Sequence, residues 1–206
     1  MSTPIRSRGR PRGFDEAVVM QAILLQFWDK GYEDTSLDDL AAATGLKRGS
    51  LYSAFGNKQA MYLAAIDQFA ATMRAGYAGS FLDSGSIREG LRRFYHQAIA
   101  LYRSDDRARG CLIFCTAPAA ANSDPVIADR LRETIAGAEQ AMTTQLAIAS
   151  ASGELDPRVD PAVVGQLAIA ALHSLALRAR ANVPVEQLHV FVNGVVATLP
   201  WTSNTV

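Results

Sequence analysis

The chain has 206 residues, of which 49% are hydrophobic and 19% are charged, and its formal net charge is zero. This length allows one large domain or two small domains with a shared interface. Two cysteines are too few for a disulfide scaffold, and the zero net charge excludes a uniformly basic nucleic-acid binder. Frequent alanine and the absence of clear strand or hairpin patterns predict an all-α fold.

The N-terminus is basic, but no apolar stretch follows it as a signal peptide would require. The apolar segments farther along have the length of ordinary core helices and are interrupted by polar residues. We therefore expect a cytoplasmic protein with no membrane partner.

Residues 1–13 form a segment of Ser, Gly, Pro and Arg without any acidic residue. Such a composition cannot bury enough apolar surface to fold alone, so a flexible basic arm is predicted. Arg8, Arg10 and Arg12 belong to a segment with the composition of arms that lie in a narrow, A·T-rich minor groove. The alternative interpretation is a solvated tail.

Residues 14–56 are predicted to form three helices. The first begins after Asp15, whose carboxylate is suited to an N-cap, and ends at Gly31. Ser36 caps a short second helix, and Asp39 stands three residues later as a variant of the capping box.

Residues 36–58 have the pattern of a helix-turn-helix. Two short helices meet at Gly45, where the turn needs a left-handed backbone that glycine adopts without steric cost. Leu40 and Leu51 are inward apolar positions of the two helices. The second of these helices, from about Lys47 to Phe55, is predicted to enter the DNA major groove. Taken alone, the same pattern also occurs in helical cores that bind no DNA.

This recognition helix would present a polar face to DNA. Arg48 is the predicted base reader, because its guanidinium group can donate two hydrogen bonds to guanine. Gly49 lets the backbone approach the DNA closely. Phosphate contacts, which position a protein without reading sequence, are assigned to Lys47, Ser50, Tyr52 and Lys58.

Residues 57–200 are predicted to form a larger helical domain, which brings the total to about nine helices. Ser86 and Glu89 have the spacing of a capping box, and Asp-Pro pairs start helices at Asp124 and Asp160. Further helices are expected from Asn57, from Arg109 to near Pro118, and after Pro184, with a tail at 201–206.

From Phe14 to Phe69 the chain resembles the N-terminal domain of the tetracycline-repressor (TetR) family. The resemblance rests on Gly31, Tyr32, Thr35-Ser36, Leu40-Ala41, Gly45, Gly49-Ser50-Leu51-Tyr52, Phe55 and Asn57-Lys58. It implies a helix-turn-helix DNA-binding domain over 14–56 and a larger C-terminal domain for ligand binding and dimerisation. It also implies contacts with double-stranded operator DNA from Thr35, Arg48, Gly49, Ser50, Tyr52, Ser53 and Lys58.

The sequence departs from this family at one position of the motif. The family often has Ser or Thr at the start of the recognition helix, where the hydroxyl can cap it, and this chain has Lys47. We therefore expect Lys47 to reach a phosphate instead of capping the helix.

A homodimer is expected, because one helix-turn-helix domain reads few base pairs and two-fold pairing raises affinity and specificity. The helix at 161–180 is apolar nearly all round, and the helix at 184–199 has one apolar face. Two such pairs would form a four-helix interface between subunits. The alternative is an unusually well buried core helix.

An unknown small-molecule effector is expected to bind inside the C-terminal domain. Few charges lie on the apolar helix faces there, so an apolar or aromatic ligand fits better than a phosphate or a sugar. The candidate lining residues, each of which could also be ordinary core, are Phe69, Met73, Phe114, Cys115, Met142 and His173.

Cys111 and Cys115 stand four residues apart and would share one helix face. Arg107 and Arg109 would lower the pKa of the Cys111 thiol, which makes the two cysteines candidates for redox or electrophile sensing. Small buried thiols are the alternative. No further ligands stand near them and the three histidines form no evident cluster, so no metal and no cofactor are expected, and His96 is expected in solvent.

The predicted function is a sequence-specific transcriptional repressor that an effector releases from its operator. An enzyme is not expected, because the sequence has no nucleophile–base pair, metal-spaced cluster or phosphate-binding Gly loop. Two rival hypotheses are a helical enzyme or carrier with a vestigial helix-turn-helix, and an architectural DNA binder without an effector. Dependence of DNA affinity on Arg48 would argue against the first rival.

Overall fold

A computed structural model describes residues 14–82 and 84–202 of the chain. These residues form nine α-helices and one 3₁₀ turn with no strand among them, which confirms the predicted all-α class. The arm residues Arg8, Arg10 and Arg12 lie outside the described part. The helices are α1 (Glu16–Lys30), α2 (Leu37–Thr44), α3 (Arg48–Phe55), α4 (Lys58–Phe81), α5 (Ile87–Tyr102), α6 (Leu112–Ala121), α7 (Pro125–Ala151), α8 (Pro161–Arg180) and α9 (Val185–Thr198).

The first helices begin and end at the residues that the sequence indicates. The Asp15 carboxylate accepts hydrogen bonds from two backbone N–H groups in the first turn of α1. Ser36 and Asp39 bond each other's backbone N–H groups and so form a complete capping box at α2. Gly45 ends α2 with a left-handed backbone, φ 68° and ψ 8°. Local hydrogen bonds therefore define the helix-turn-helix.

The first three helices share their core with α4. Leu40 of α2 and Leu51 of α3 are fully buried, and α2 packs against both α1 and α3. Phe27 of α1 packs edge-on against Tyr62 of α4, with ring centroids 5.0 Å apart. Since α4 also packs along α5, this helix joins the two predicted domains, and the boundary at residue 56 stays a prediction.

The larger C-terminal part is a bundle of α5 to α9 with α4 on one side. α7 packs along α8, and α5 lies between α4 and α9. The Tyr95 hydroxyl of α5 donates to the Ala168 carbonyl of α8 at 2.8 Å. The side chains of Asp124 and Asp160 cap α7 and α8, each followed by proline, as the two Asp-Pro pairs predict.

α6 differs at both ends from the predicted helix. It begins at Leu112, three residues late, because Gly110 has a left-handed φ of 65° and Cys111 is the N-cap. It also continues past Pro118 to Ala121. Pro118 is exposed, and its missing N–H removes one backbone hydrogen bond without ending the helix.

Two further expectations hold only in part. Ser86 caps α5 by accepting from the Glu89 N–H at 3.1 Å, but the Glu89 carboxylate pairs with arginines of α5 instead of completing the box. At the other end of the chain, Trp201 of the predicted tail donates from its indole to the Val196 carbonyl at 2.6 Å. The tail therefore starts with a residue that packs back on the bundle.

Among the described residues, one helix, α8, is long and apolar enough to cross a membrane by length and composition alone. Its inward residues, such as Val164, Ala168 and Leu172, are buried in the core of the bundle. A core helix of a globular protein passes the same test, so the length and composition of α8 are weak evidence for a membrane span.

Candidate nucleic-acid interface and effector cavity

α3 has one fully buried side chain, Leu51, and exposes its polar residues. Tyr52 is 47% exposed on the outer side of the helix. The other predicted contact residues at α3 and its N-cap are also exposed: Lys47, Arg48, Gly49, Ser50 and Ser53. This arrangement suits a helix that enters a major groove, and the individual DNA contacts stay predictions.

Arg48, the predicted base reader, is held by an acidic residue of the preceding helix. Its Nε donates to Asp38 Oδ1 at 2.6 Å, and a second guanidinium nitrogen pairs with the other carboxylate oxygen. The hydrogen bond from Arg48 lowers the pKa of the Asp38 carboxyl. Both side chains are more than half exposed. The guanidinium group must therefore leave Asp38 before it can bond a guanine in two places.

Thr35 is buried, unlike the predicted DNA-contact residues at α3 and its N-cap. Its side chain is fully buried, and its hydroxyl donates to the Gly31 carbonyl at 2.6 Å. The Thr35 hydroxyl therefore holds the end of α1 in this structure, and the DNA contact of Thr35 implied by the family resemblance stays a prediction. A buried hydroxyl keeps such a bond because leaving it unpaired would cost free energy.

Two lysines flank the recognition helix in different settings. Lys47 makes no side-chain bond to the start of α3, as expected for a residue that replaces a capping hydroxyl. The Lys58 ammonium lies over the Tyr32 ring, 4.5 Å from its centroid, and donates to the Glu33 carbonyl at 3.3 Å. Lys58 is thus partly engaged within the domain, and its phosphate contact stays a prediction.

A cavity of about 360 Å³ lies between α4 and the C-terminal helices. Phe69 and Met73 of α4 and Phe114 of α6 line it, as proposed from the sequence. Cys115, Met142 and His173 are not among its lining residues. The rest of the lining comprises Asp67, Ala70, Arg74, Tyr77, Phe94, Cys111, Ile113, Arg130, Glu133, Thr134, Gly137, Ala138, Ala141, Ile169 and Leu172.

Some of these lining residues could have been found from the sequence. Tyr77 follows Met73 by four residues, so it continues the apolar face of α4 that begins at Phe69. The charged residues of the lining stand beside that face and have no comparable sequence signal. Only the packing of α4 against α7 brings them to the cavity.

His173 lies just behind the cavity wall. Its ring packs on Phe114 with centroids 3.9 Å apart, and its Nε2 is buried without a hydrogen-bond partner among the described residues. Burial lowers the pKa of the His173 imidazole. His173 is therefore a supporting residue of the wall in this structure.

Cys111 lines the cavity, but the proposed low pKa is wrong. Its side chain is buried, and this burial raises the pKa of the thiol to about 12. Arg107 and Arg109, the expected cause of a lowered pKa, are paired instead with Asp29. Cys115 also has a raised pKa because of burial. Both thiols are therefore protonated at neutral pH, and a sensing role based on a thiolate loses its physical basis.

The segment before α6 connects the DNA-binding helices to the cavity. Arg109 is 5% exposed, and its Nε pairs with Asp29 of α1 at 2.6 Å. The indole of Trp28 donates to the Gly110 carbonyl at 2.9 Å. Arg180, at the end of α8, donates to the backbone carbonyls of both Trp28 and Arg109. The end of α1, the start of α6 and the end of α8 thus meet directly beside the cavity-lining Cys111.

His96 is not solvated as expected. Its Nδ1 lies 2.6 Å from Nδ1 of His189 on α9, and its Nε2 lies 3.1 Å from Asn193 Oδ1. His96 and His189 are thus a contacting pair that the sequence did not indicate. Within the described ranges, no group of three or more His, Cys, Asp or Glu side chains could hold a metal ion.

An all-α chain that combines an exposed recognition helix with a separate apolar cavity defines a class, the two-domain helix-turn-helix regulators. Comparison with family models identifies the family. Residues 19–65 match the model described as "Bacterial regulatory proteins, tetR family", and residues 81–195 match "Tetracyclin repressor-like, C-terminal domain". The chain belongs to the TetR family, and it is a DNA-binding transcriptional regulator and not an enzyme.

Known proteins similar to this chain include regulators matched over most of their length. The HTH-type transcriptional repressor ComR of Escherichia coli (strain K12) is 30% identical over 186 residues, 89% of this chain and 88% of ComR. The transcriptional regulator AcuR of Cereibacter sphaeroides is 28% identical over 195 residues, and the match covers 89% of this chain and 87% of AcuR. A cysteine mutant of the TetR family regulator CifR, solved with 26-bp operator DNA, has a TM-score of 0.81 and 27% identity over 93% of this chain and 100% of CifR.

Proposed function

We propose that this protein is a homodimeric, sequence-specific repressor that a small apolar or aromatic effector releases from its operator. The observation that carries the proposal is the junction beside the cavity. There the Asp29–Arg109 ion pair and the Trp28–Gly110 hydrogen bond join α1 of the DNA-binding domain to the segment that leads into Cys111. A ligand that moves α4 or α6 would therefore also move the helices that present α3.

The release step is a shift between two conformations of the dimer. One conformation would place both α3 helices in successive major grooves, and the other would change their separation. The effector lowers operator affinity only if it binds the second conformation more tightly than the first. The cavity is lined mostly by apolar and aromatic side chains, which supports an apolar or aromatic effector.

Pairing of two subunits is supported by the outer face of α8 and α9. Val163, Leu167 and Leu177 of α8 are more than half exposed, and Val190 of α9 is 73% exposed. Exposed apolar side chains grouped on two adjacent helices are typical of a subunit interface. We assign the homodimer interface to the helices at 161–180 and 184–199.

We propose repression and operator binding for this protein because similar proteins have these functions. ComR is named a repressor, and the CifR mutant was solved with operator DNA. The exposed residues at α3 fit the same role here, with Arg48 as base reader and Lys47, Ser50, Tyr52 and Lys58 at phosphates. The arm with Arg8, Arg10 and Arg12 would add minor-groove contacts, and the protein would act in the cytoplasm, where the DNA lies.

The test is a DNA-binding titration with Arg48→Ala. We expect the wild type to prefer DNA from around its own gene over a scrambled duplex. The variant should lose that preference by about fivefold or more, because a bidentate guanine contact contributes about 1–3 kcal/mol. Affinity is measured by fluorescence anisotropy at several salt concentrations. Arg132→Ala, an exposed arginine of α7, is the matched control and should bind like the wild type. Equal, strongly salt-dependent affinity for both duplexes would contradict specific binding.

A further inference from the structure

The cavity opens to the surface between α4 and α7. At one end of this opening Arg130 of α7 pairs with Asp67 of α4. At the other end the Tyr77 hydroxyl of α4 donates to the Ala141 carbonyl of α7 at 2.8 Å. These two contacts bracket a stretch in which the two helices leave a gap.

The α7 side of this gap is built from small residues. Thr134, Gly137 and Ala138 line the cavity there, and Gly137 is exposed. A Cβ atom placed on Gly137 would meet nothing within 4 Å. The α7 backbone at Gly137 therefore faces open space on this side of the gap.

Of the two arginines at the opening, Arg130 forms ion pairs and Arg74 forms none among the described residues. Arg130 contacts both Asp67 and Glu133, the latter at 3.3 Å, so both carboxylates are already engaged by one cation. The hydrogen bond to Asp67 raises the pKa of Arg130, which favours the charged guanidinium. Arg74 also lines the cavity and is exposed, and it makes no hydrogen bond or ion pair within the described part of the chain. Arg74 is thus the unpaired charge of the opening.

Behind the opening the cavity is apolar. The wall consists mainly of aromatic and aliphatic side chains, which cannot hydrogen-bond a charged group: Phe69, Met73, Phe94, Ile113, Phe114 and Leu172. A charged end of a ligand would lose free energy inside this wall, whereas it would remain hydrated and paired at the opening.

We infer that the effector is an amphiphilic organic anion, with an apolar or aromatic body inside the cavity and one carboxylate or similar group bound by Arg74. This inference rests on the proposed function and specifies the ligand of the same cavity. A cationic ligand is disfavoured, because Asp67 and Glu133 are both occupied by Arg130. A guanidinium group without a partner is well suited to bind a carboxylate in two places.

The test uses two probes of equal shape, 4-phenylbutyrate and its neutral amide, 4-phenylbutyramide. Binding to the full-length protein is measured by isothermal titration calorimetry and by the shift in Tm. We expect the wild type to bind the carboxylate at least tenfold more tightly than the amide. Arg74→Gln should lose that preference while binding the amide as the wild type does. Arg132→Gln, which removes an equally exposed arginine outside the cavity, should keep the preference.

A second variant tests the opening itself. Gly137→Leu places a side chain in the empty space of the gap, and it should abolish binding of both probes without lowering Tm, since leucine favours a helix interior more than glycine does. Equal affinity of the wild type for the two probes, failure of both to bind, or unchanged carboxylate binding by Arg74→Gln would overturn the inference.

Failure of the anionic-effector inference can be distinguished from failure of the proposed repressor function. Release of operator DNA by a neutral aromatic compound, unaffected by Arg74→Gln, would support an effector-controlled repressor and reject the anionic class. Loss of sequence-specific DNA binding in the Arg48→Ala titration concerns α3 alone and does not depend on either probe.

Discussion

At the scale of single residues, the DNA-binding surface combines an exposed arginine with an acid that restrains it. Arg48 is oriented by Asp38 through two hydrogen bonds, both accessible to solvent. A surface ion pair of this kind is weak because water screens it, so a DNA phosphate or base can compete with Asp38 for Arg48. We therefore expect Asp38 to lower the affinity for every DNA sequence, because its carboxylate competes for Arg48 and would repel phosphates.

We predict that Asp38→Asn binds operator DNA several-fold more tightly than the wild type. The substitution frees Arg48 and removes one negative charge beside the proposed DNA-binding surface, and the exposed pair that is lost is weak. Anisotropy titrations at fixed salt measure the change. Asp34→Asn controls for the lost charge, since Asp34 is an exposed acid with no hydrogen bond or ion pair in the described ranges. An affinity of Asp38→Asn no greater than that of Asp34→Asn would show that the pair does not restrain Arg48.

At the scale of helices, the close packing of α7 on α8 contrasts with the open gap between α7 and α4. Gly165 of α8 lies so close to α7 that an added Cβ would stand 2.9 Å from Thr143 Oγ1 and 3.1 Å from the Thr143 backbone nitrogen. Gly137, on the side of α7 at the cavity opening, has free space around the same position. One face of α7 is therefore tightly packed, whereas the other borders open space.

We predict opposite effects for alanine at these two glycines. Gly165→Ala should lower the free energy of unfolding by about 1–3 kcal/mol, because the helices must separate to admit the methyl group. Gly137→Ala should raise it by up to about 1 kcal/mol, because alanine is the better helix former and meets no obstacle. Urea unfolding followed by circular dichroism gives both values. Equal effects of the two substitutions would mean that the α7–α8 contact is not tight in solution.

At the scale of the whole molecule, two recognition helices must be held at a fixed separation to match successive major grooves. The exposed apolar face of α8 and α9 provides a surface for that pairing. Leu167 and Leu177 are 57% and 58% exposed and lie ten residues apart on α8. In a two-fold interface each of these leucines would lie near the α8 and α9 face of the partner subunit.

We predict that Leu167→Glu converts the dimer to a monomer. The substitution places two carboxylates in an apolar, self-complementary interface, where each would be buried without a partner. Size-exclusion chromatography with light scattering measures the mass, and operator affinity should fall by at least tenfold with it. Ile148→Glu, at an exposed apolar position of α7, is the control and should remain dimeric. A dimeric Leu167→Glu protein would place the interface elsewhere.

The sequence was sufficient for features that depend on neighbours along the chain. Helix starts at Asp15, Ser36 and Asp124 follow from side chains that bond backbone N–H groups two or three residues away. The turn at Gly45 follows from a backbone conformation that glycine favours. The family resemblance added the order of the domains and the DNA-facing positions of α3.

Only the tertiary structure decided burial and pairing between distant segments. It placed the Thr35 hydroxyl in the interior, raised the pKa of Cys111, and brought His96 against His189. These properties depend on residues up to about a hundred positions away, and no local pattern encodes which side chain will face them. The sequence therefore determined the helices and predicted their DNA-facing surface. Packing decided the cavity, its opening beside Arg74 and the pKa of the Cys111 thiol, because burial and pairing arise only when the helices assemble.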